Sequence, residues 1–358
     1  MCNNHHRHSI FCVLPPHVLK NIAQNGTPKQ RSLAMQTLSV DNTLRALRST
    51  KGQPKAGTAR TGSTMLGAES QIQRTIYDAK NEQRLPGVVV RAEGSPASGN
   101  AAVDEAYDGL GATYNFFWDI FDRNSIDDEG LALNATVHFG DSYDNAFWDG
   151  ERMVFGDGDG TLFNRFTVSL DVIGHELAHG VTEDEARLVY FSQAGALNES
   201  MSDVCGSMIK QHALNQKVDQ ADWLIGAGLL TSQVNGVALR SMKAPGTAFD
   251  DPVLGKDPQP AYMRDYVNTF EDNGGVHINS GIPNHAFYLA ATHLGGYAWD
   301  TIGRIWYDTL RDPRLRPNTG FRRFARLTIS NAERIFGLRS NESQAVRDAW
   351  NEVGIKIR

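Results

Sequence analysis

The sequence has few cysteines and no long apolar run. Its 358 residues include only Cys2, Cys12 and Cys205, too few and too scattered for a disulfide framework or a cysteine-rich structural zinc site. No apolar stretch approaches the ~20 residues of a membrane span, so we expect no bilayer-crossing helix. The apolar stretch near the N-terminus ends at Pro15 and Pro16, too short for a Sec signal peptide. The cysteine count leaves the redox compartment open.

Charge is unevenly distributed along the chain. Residues 1–65 contain nine lysines and arginines against one acid, Asp41, for a net charge of +8; because the whole chain carries −6, residues 66–358 carry −14. Basic N-terminal arms often bind nucleic acid, but this one has no continuous charge run and no interleaved aromatic residues. We therefore expect the basic segment to dock on its own acidic body, with nucleic-acid binding as the rival interpretation.

The most informative motif is His175-Glu176-Leu177-Ala178-His179. Residues four apart project from one face of an α-helix, so both imidazoles can reach one metal ion. Glu176 lies about 100° further around the helix, where it is poorly placed as a ligand but can contact a water on the metal. The pattern predicts a zinc site with its own general base.

A catalytic zinc ion takes three protein ligands and keeps one position for water. Glu199, in Asn198-Glu199-Ser200-Met201-Ser202-Asp203, is the candidate for the third ligand. A metal-bound histidine gives its other N–H to a carboxylate or carbonyl, and Asp203 suits His175 while Asn198 suits His179. The alternative is that Asp203 and Asn198 are ordinary surface residues of a helix.

Periodicity and turn residues divide the chain into a short helical head, a linker and two lobes. Pro15-Pro16 and Thr27-Pro28 can each open a helix, but two such helices bury too little surface to be stable alone. The linker is rich in Gly, Ser, Thr and Lys, and such a segment is open to proteolysis. The predicted segments are residues 1–50 (helical head), 51–67 (flexible linker), 68–182 (β-rich lobe including the zinc helix) and 183–358 (helical lobe).

Within these segments the pattern predicts individual elements. Alternating β-branched residues indicate strands at 71–79, 87–91 and 132–140, with one helix near 100–121 between them. After the zinc helix, helical periods are found at 201–214, 283–294, 301–310, 321–336 and 343–353. In the second helix of the head, Leu33, Thr37, Leu38, Leu44 and Leu47 are the predicted buried side.

Further stretches accompany the zinc motif in order: Asn145-Ala146-Phe147-Trp148, Gly156-Asp157-Gly158-Asp159-Gly160 and Asp272-Asn273-Gly274-Gly275-Val276-His277-Ile278-Asn279-Ser280-Gly281. From about residue 70 to the C-terminus, the chain resembles the thermolysin family of zinc metallopeptidases. The resemblance implies an α+β fold with a β-rich N-terminal lobe, a helical C-terminal lobe and the zinc helix between them. It also implies peptide hydrolysis by a zinc-bound water, with Glu176 as general base.

The resemblance further implies roles for residues outside the motif. His277 and the Tyr190 hydroxyl would stabilise the oxyanion, and Asp272 would orient His277. Asn145 and the Ala146 carbonyl would hold the substrate backbone like an edge strand, and Arg240 would bind a carbonyl on the primed side. Positions matching the family's apolar primed-side pocket, which predict a preference for bulky apolar residues after the scissile bond, are Phe163, Phe166, Val172, Ile225 and Leu239. Their alternative interpretation is ordinary core.

The chain departs from the family at its calcium positions. Paired calcium ions need many oxygen ligands, but the corresponding positions are Lys210, Asp222, Leu224 and Ala227, with Asp171 retained. We therefore expect one catalytic zinc ion and no paired calcium site. Lys210 is expected to pair with Asp171 or Asp222 instead.

The head resembles the short-propeptide, protealysin-like branch of the family, through Cys12-Val13-Leu14-Pro15-Pro16-His17-Val18-Leu19. This implies a zymogen in which residues 1–50 are an inhibitory propeptide and 51–67 an activation linker. Pro15 and Pro16 would lie in the primed subsites. For Cys12 two interpretations stay open: a thiolate that caps the zinc as a switch, or a small buried thiol.

The sequence therefore predicts a secreted zinc metalloendopeptidase that acts on peptides and proteins, with no nucleic-acid or membrane partner. Without a Sec signal, it would leave by another route or stay in the cytoplasm until release. One rival is a zinc-binding pseudoenzyme, which would lack Glu176, Tyr190 or His277, and all three are present.

Overall fold

The computed structural model describes residues 11–50 and 72–357. The N-terminal segment comprises strand β1 (Phe11–Cys12) and helices α1 (Pro16–Asn25) and α2 (Pro28–Thr50). Pro16 is the first residue of α1, where its missing N–H costs nothing. Thr27 precedes α2 and pairs with Gln30 through backbone and side chain, as in a capping box. The predicted linker, 51–67, and the side chains of Leu44 and Leu47 lie outside what the structure describes.

A mixed sheet of six strands forms the N-terminal lobe. Its strands are β1, β2 (Arg74–Asp78), β3 (Val88–Ala92), β4 (Leu133–Val137), β5 (Ala146–Trp148) and β6 (Met153–Phe155). Their spatial order is β1-β5-β6-β4-β2-β3, with β2 and β6 parallel to β4 and the other pairs antiparallel. Helix α3 (Ala101–Phe121) packs against β2 and β4. The N-terminal segment thus supplies an edge strand to the catalytic body.

Two long helices run through the centre of the molecule, α4 (Leu170–Glu185) and α5 (Ser192–Ala213). They approach closely at Gly206, where a Cβ atom would lie 2.2 Å from the Asp171 carbonyl oxygen. A larger residue there would force the helices apart, because real Cβ contacts are never so short. This close approach brings the buried faces of α4 and α5 together.

The C-terminal lobe is helical. It contains α6 (Asp272–Asn279), α7 (Gly281–Leu294), α8 (Ile302–Leu310), α9 (Phe321–Phe336) and α10 (Asn341–Glu352), with short strands β7 (Leu224–Ile225), β8 (Arg240–Ser241), β9 (Asp250–Asp251) and β10 (Gly255–Lys256). Trp306 and Trp350 stack at 6.0 Å between α8 and α10. Across residues 11–50 and 72–357, no helix is long and apolar enough to cross a membrane.

The two-lobed α+β architecture with the motif helix between the lobes is confirmed. Strands β2 and β4 are shorter than the predicted 71–79 and 132–140, and the helices and lobes depart from expectation as follows. Helix α5 begins at Ser192, nine residues before the predicted 201, because its first turns carry small and polar residues with no apolar period. Helix α6 was not predicted, since it is short and begins with positive φ angles at Asn273, Gly274 and Gly275. The end predicted for the β-rich lobe, 182, falls inside the last turn of α4.

Candidate metal centre and peptide cleft

Helices α4 and α5 bring three potential metal ligands together. One ligand atom from each of His175, His179 and Glu199 lies within 4.8 Å of the others, and all three residues are buried. The two Nε2 atoms are 3.1 Å apart, and Glu199 oxygens lie 3.4 Å from His175 Nε2 and 3.5 Å from His179 Nε2. The sequence separation of four puts the imidazoles on one face of α4, and α5 adds the carboxylate from the opposite side.

The hydrogen bonds of the two imidazoles show that this group fits a cation. His175 Nδ1 lies 2.8 Å from Asp203 Oδ1, and His179 Nδ1 lies 2.8 Å from Asn198 Oδ1. Both Nδ1 atoms donate to oxygen, so in the neutral imidazoles, the form that binds a metal, both Nε2 atoms present lone pairs. Two lone pairs facing each other beside a buried carboxylate repel unless a cation lies among them. Among the described residues, two imidazoles and one carboxylate converge here without a fourth protein ligand, which matches a catalytic zinc site.

Asp203 connects this centre to the cleft. Besides His175, its carboxylate accepts hydrogen bonds from Arg240 Nε (2.9 Å) and Nη2 (2.8 Å), and from Asn284 Nδ2 (2.8 Å). Burial opposes ionisation, but Arg240 and His175 hold the pKa of Asp203 at about 2. The sequence did not single out Asn284, since a polar residue on an apolar helix gives no signal of which distant group it contacts.

Glu176 lies on the same helix, turned toward β5. Its Oε2 accepts a hydrogen bond from the Trp148 amide at 3.1 Å, while Oε1 is buried and has no hydrogen-bond partner within the described residues. Burial raises the pKa of the Glu176 carboxyl well above its usual range. One carboxylate oxygen is thus anchored, and the other keeps its capacity to accept a hydrogen bond.

His277, Tyr190 and Asp272 meet on the opposite side of the centre. Asp272 Oδ1 lies 2.6 Å from His277 Nδ1, and its Oδ2 accepts the His277 amide at 2.9 Å. Burial alone would lower the pKa of His277, but Asp272 and Glu199 raise it. The Tyr190 hydroxyl donates to Glu199 Oε1 and lies 3.2 Å from His277 Nε2. Two neighbouring residues of α6 and the distant Tyr190 therefore meet at one point of the cleft.

The N-terminal segment lies in this cleft as an extended strand. The Val13 amide donates to the Ala146 carbonyl at 3.2 Å, and the Leu14 amide donates to Asn145 Oδ1 at 3.0 Å. Arg240 Nη1 donates to the Val13 carbonyl at 3.1 Å, and His277 Nε2 lies 3.2 Å from the Cys12 carbonyl. The backbone contacts are thus made by residues 12–14, upstream of the predicted Pro15-Pro16. Pro15 lines a small cavity beside Leu239 and Arg240, and Pro16 begins α1.

The apolar residues of the candidate pocket are all buried. They lie in one continuous hydrophobic core together with Val13 and Leu14 of the N-terminal segment. Ile225 pairs with Arg240 across β7 and β8, and the rings of Phe163 and Phe166 are 6.0 Å apart. The five buried residues of this candidate pocket are Phe163, Phe166, Val172, Ile225 and Leu239. Because Val13 and these five residues belong to the same core, burial alone does not distinguish a pocket role from a core role.

The side chain of Cys12 points away from the centre. It packs in a separate cluster with Phe139, Tyr143 and Phe147, and only its carbonyl oxygen reaches His277. Successive side chains of a strand alternate between faces, so Val13 turns toward the core that contains the cleft. The structure therefore matches the buried-thiol interpretation and not the zinc-capping one.

Helices α1 and α2 dock on the body mainly through apolar and hydrogen-bonding residues. Val18, Leu19 and Ile22 join the main core. Buried Asp41, the acid of the basic head, accepts hydrogen bonds from Tyr143 (2.5 Å) and Asn145 Nδ2 (3.0 Å). A peripheral ion pair, Lys20 to Glu271 at 2.9 Å, is solvent-exposed and contributes little. Docking is as expected, and among the described residues it depends on apolar burial and hydrogen bonds more than on ion pairs.

Lys210 lies at one of the positions that correspond to the family's calcium ligands. Its ammonium lies 2.7 Å from Asp171 Oδ2, 2.9 Å from Asp222 Oδ1 and 2.8 Å from the Leu224 carbonyl. Burial opposes the charge, but the two carboxylates raise the pKa of Lys210 above its ordinary value. One ammonium thus satisfies three oxygens that converge between α4, α5 and β7.

Comparisons with known proteins agree with this geometry. The family model described as thermolysin metallopeptidase, catalytic domain, matches residues 49–183, and that described as thermolysin metallopeptidase, alpha-helical domain, matches residues 186–355. An extracellular metalloprotease of Pectobacterium carotovorum subsp. carotovorum is 55% identical, covering 98% of this chain and 97% of the relative. Protease PrtS of Photorhabdus sp. (strain Az29) is 49% identical, covering 97% and 92%. A solved structure, the precursor of protealysin, a metalloproteinase from Serratia proteamaculans, has a TM-score of 0.86 and 54% identity, covering 96% of this chain and 99% of that one.

Fold and site together define a two-lobed metallopeptidase whose cleft is filled by its own N-terminal segment. The chain belongs to the thermolysin metallopeptidase family. Because it matches a protealysin precursor over almost its whole length, it is a metalloprotease in its zymogen form, as the short-propeptide resemblance implied.

Proposed function

We propose that this protein is a zinc metalloendopeptidase whose catalytic centre consists of His175, His179 and Glu199 as metal ligands and Glu176 as general base. The observation that carries the proposal is the buried group of two imidazoles and one carboxylate beside a peptide segment held in extended form. A bound Zn²⁺ supplies Lewis-acid polarisation of the scissile carbonyl and lowers the pKa of water.

Glu176 moves the proton in this proposal. Its Trp148 contact fixes one oxygen, and the other, which has no hydrogen-bond partner within the described residues, takes a proton from the attacking water. The same carboxyl then gives the proton to the leaving amine. Burial raises the proton affinity of Glu176, which suits a group that must both accept and release a proton near neutral pH.

His277 and Tyr190 stabilise the oxyanion by donating hydrogen bonds to it. Support comes from the contact of His277 with the carbonyl of Cys12. Asp272 is a positioning residue that orients the His277 ring and favours its charged form. Asp203 and Asn198 hold the rings of His175 and His179 through their Nδ1 atoms.

Peptide substrates bind by adding a strand to β5. Asn145 and Ala146 hold the substrate backbone, and Arg240 holds the carbonyl on the primed side, as they hold residues 13 and 14. We also propose that the candidate pocket of Phe163, Phe166, Val172, Ile225 and Leu239 receives a bulky apolar side chain after the scissile bond. The burial of Val13 in the same core supports this preference.

Metal removal tests the proposed function. Purified protein is expected to contain about one zinc ion per chain and, once processed, to cleave peptides with Leu or Phe after the scissile bond. A chelator should abolish this cleavage, and added Zn²⁺ should restore it. Peptides with Asp at that position are the control and should be cut far more slowly. Zinc-free protein that cleaves at the same rate would contradict the proposal.

We propose that residues 1–50, here called the prodomain, act as an intramolecular inhibitor that leaves after cleavage in 51–67. Apolar docking of α1 and α2 supports this role over nucleic-acid binding.

The curated relative named extracellular metalloprotease supports action outside the cell, on peptides and proteins. Release by a route independent of a Sec signal stays a prediction, tested by detecting the enzyme in medium from intact producing cells.

Acid should loosen the prodomain through His17. Its Nδ1 is enclosed without a hydrogen-bond partner within the described residues, and burial lowers the pKa of His17 from 6.5 to about 4. Above pH 6.5 the His17 imidazole is neutral in both the docked and the released prodomain, so its protonation does not affect docking. Between pH 6.5 and about 4, mainly the released form gains a proton on His17, so docking should weaken roughly 30-fold by pH 5. Charged or titratable groups around His17 are Asp272, His277, Arg240, Lys20 and Asp257.

The measurement for His17 is the rate of zymogen activation between pH 7.5 and 5, compared with His17→Gln. The variant keeps every other titrating group, so the difference between the two profiles isolates His17. Parallel profiles would mean that His17 does not control docking.

We propose that Lys210 replaces a calcium site. Lys210→Met should leave the buried Asp171 carboxylate uncompensated and lower the free energy of unfolding by about 2–3 kcal/mol, less than a fully buried pair because Lys210 is partly exposed. Thermal unfolding in a Glu176→Ala background avoids self-digestion, and the exposed Lys217→Met serves as control. Added Ca²⁺ should not change the wild-type melting temperature; an increase would show a calcium site that Lys210 does not replace.

A further inference from the structure

The prodomain strand enters the cleft in a defined direction and register. β1 is antiparallel to β5, with Phe11 opposite Trp148 and Cys12 opposite Phe147. The chain then continues through Val13 and Leu14, whose amides are held by Ala146 and Asn145. Residues 11–14 therefore form one continuous added strand, the way an extended peptide ligand binds at a sheet edge.

Two carbonyl contacts locate one peptide bond at the centre. His277, the proposed oxyanion donor, contacts the Cys12 carbonyl at 3.2 Å, and Arg240, the proposed primed-side residue, contacts the Val13 carbonyl at 3.1 Å. The carbonyl at the oxyanion donor belongs to the residue before the scissile bond, and the next carbonyl belongs to the residue after it. Both assignments agree only if the scissile position is the bond between Cys12 and Val13.

The side chains agree with the same register. Val13 is fully buried, in one core with the proposed apolar pocket, so an apolar residue follows the bond as the proposed specificity requires. Cys12 turns its thiol into the cluster of Phe139, Tyr143 and Phe147, which leaves only its carbonyl at the centre. The prodomain thus presents a substrate sequence as well as a substrate backbone.

Resting on the proposed function, we propose that the Cys12–Val13 peptide bond is a cleavage site of this enzyme in its own chain. The water oxygen bonds to the Cys12 carbonyl carbon, and the bond from that carbon to Val13 nitrogen breaks. Glu176 carries one water proton to the Val13 nitrogen. The second proton leaves as the Cys12 carboxyl ionises and is taken up by the new amine, giving a C-terminal carboxylate and an N-terminal ammonium.

This cut alone does not release the prodomain. Beyond Val13, the segment stays attached through the Leu14 amide, the Asn21 side chain on the Leu254 carbonyl at 2.8 Å, and Asp41 on Tyr143 and Asn145. The new Val13 amine remains beside the Ala146 carbonyl. The nicked chain is therefore still inhibited, and activation needs the second cut in the linker.

The test is a time course of intact-mass measurements on the full chain purified with zinc. Fragments ending at Cys12 and beginning at Val13 are expected, and Glu176→Ala should give neither. Val13→Asp should abolish this cut by placing a charge in the apolar pocket. The matched control is Met35→Asp, on an exposed position of α2, which adds the same charge to the prodomain outside the cleft and should leave the cut unchanged.

A second readout does not depend on catalysis. In the uncleavable Glu176→Ala chain, the Val13 and Leu14 amides should exchange hydrogen slowly because both are hydrogen-bonded, and Val13→Asp should speed their exchange by at least roughly tenfold. Fast exchange in the Glu176→Ala chain would overturn the register.

The proposed function is measured separately, as chelator-sensitive hydrolysis of an apolar peptide after trypsin has opened the linker. Active enzyme that never cuts between Cys12 and Val13, or cuts at a neighbouring bond instead, overturns the inference and leaves the proposed function standing. An inactive enzyme with slowly exchanging amides would instead contradict the proposed function while the register holds.

Discussion

Glu176→Gln is expected to lower kcat for peptide hydrolysis by on the order of 10²–10⁴-fold, the usual contribution of a general base. Glutamine has the same shape, and its amide oxygen can still accept the Trp148 amide that now binds Glu176 at 3.1 Å. It cannot take a proton from water. The measurement is kcat and KM on an apolar peptide, after the linker has been opened in trans by trypsin.

Two controls separate loss of the base from loss of the site. Zinc content should stay at about one per chain, because Glu176 is not one of the three clustered ligands. Glu129→Gln makes the same substitution at an exposed position in the same lobe and should change kcat by less than about twofold. An activity within tenfold of wild type, with zinc retained, would remove Glu176 from the proposed role.

Local spacing was enough to predict which residues form the candidate metal centre. His175 and His179 share a helix face by their separation alone, and Glu199 was found because it lies in a short polar cluster on the next helix. The same holds for α3, α8 and α9, whose bounds agree closely with the predicted ones. Each of these features depends on residues within one or two helical turns.

Features that depend on distant contacts were not predictable in the same way. The register of the prodomain strand depends on an Arg240 contact with a residue 227 positions away, and periodicity does not encode which carbonyl meets which donor. The sequence therefore predicted that Pro15 and Pro16 occupy the primed subsites, whereas residues 12–14 make the backbone contacts in the cleft. Asn284 and the contact of Asp41 with Asn145 were missed for the same reason.

Asp203 shows why such contacts matter for function. One carboxylate receives hydrogen bonds from the imidazole of His175, a proposed metal ligand, from the Arg240 guanidinium, which also donates to the Val13 carbonyl, and from Asn284. The proposed metal centre and the proposed primed-side residue therefore share a single anchor. Any displacement of Asp203 moves both, so substrate binding and metal binding should be coupled through it.

Asp203→Ala is accordingly expected to lower the free energy of unfolding by about 3–5 kcal/mol, since it leaves the buried Arg240 charge without its partner. Zinc affinity should fall by about 10–100-fold, because His175 loses the acceptor that fixes its ring. Both quantities are measured in a Glu176→Gln background, by denaturant unfolding of the zinc-free protein and by zinc competition with a chelator.

Asp203→Asn distinguishes the two effects. Its amide oxygen can still accept the hydrogen bond from His175 Nδ1, so zinc affinity should fall less than in the alanine variant. The loss of the negative charge should still leave the Arg240 guanidinium without its ion-pair partner, which should raise KM. Asp219→Ala, at an exposed position, controls for removal of an acid. If Asp203→Ala weakened zinc binding without affecting stability or KM, Arg240 would be held by other groups, and the shared anchor would not couple the two sites.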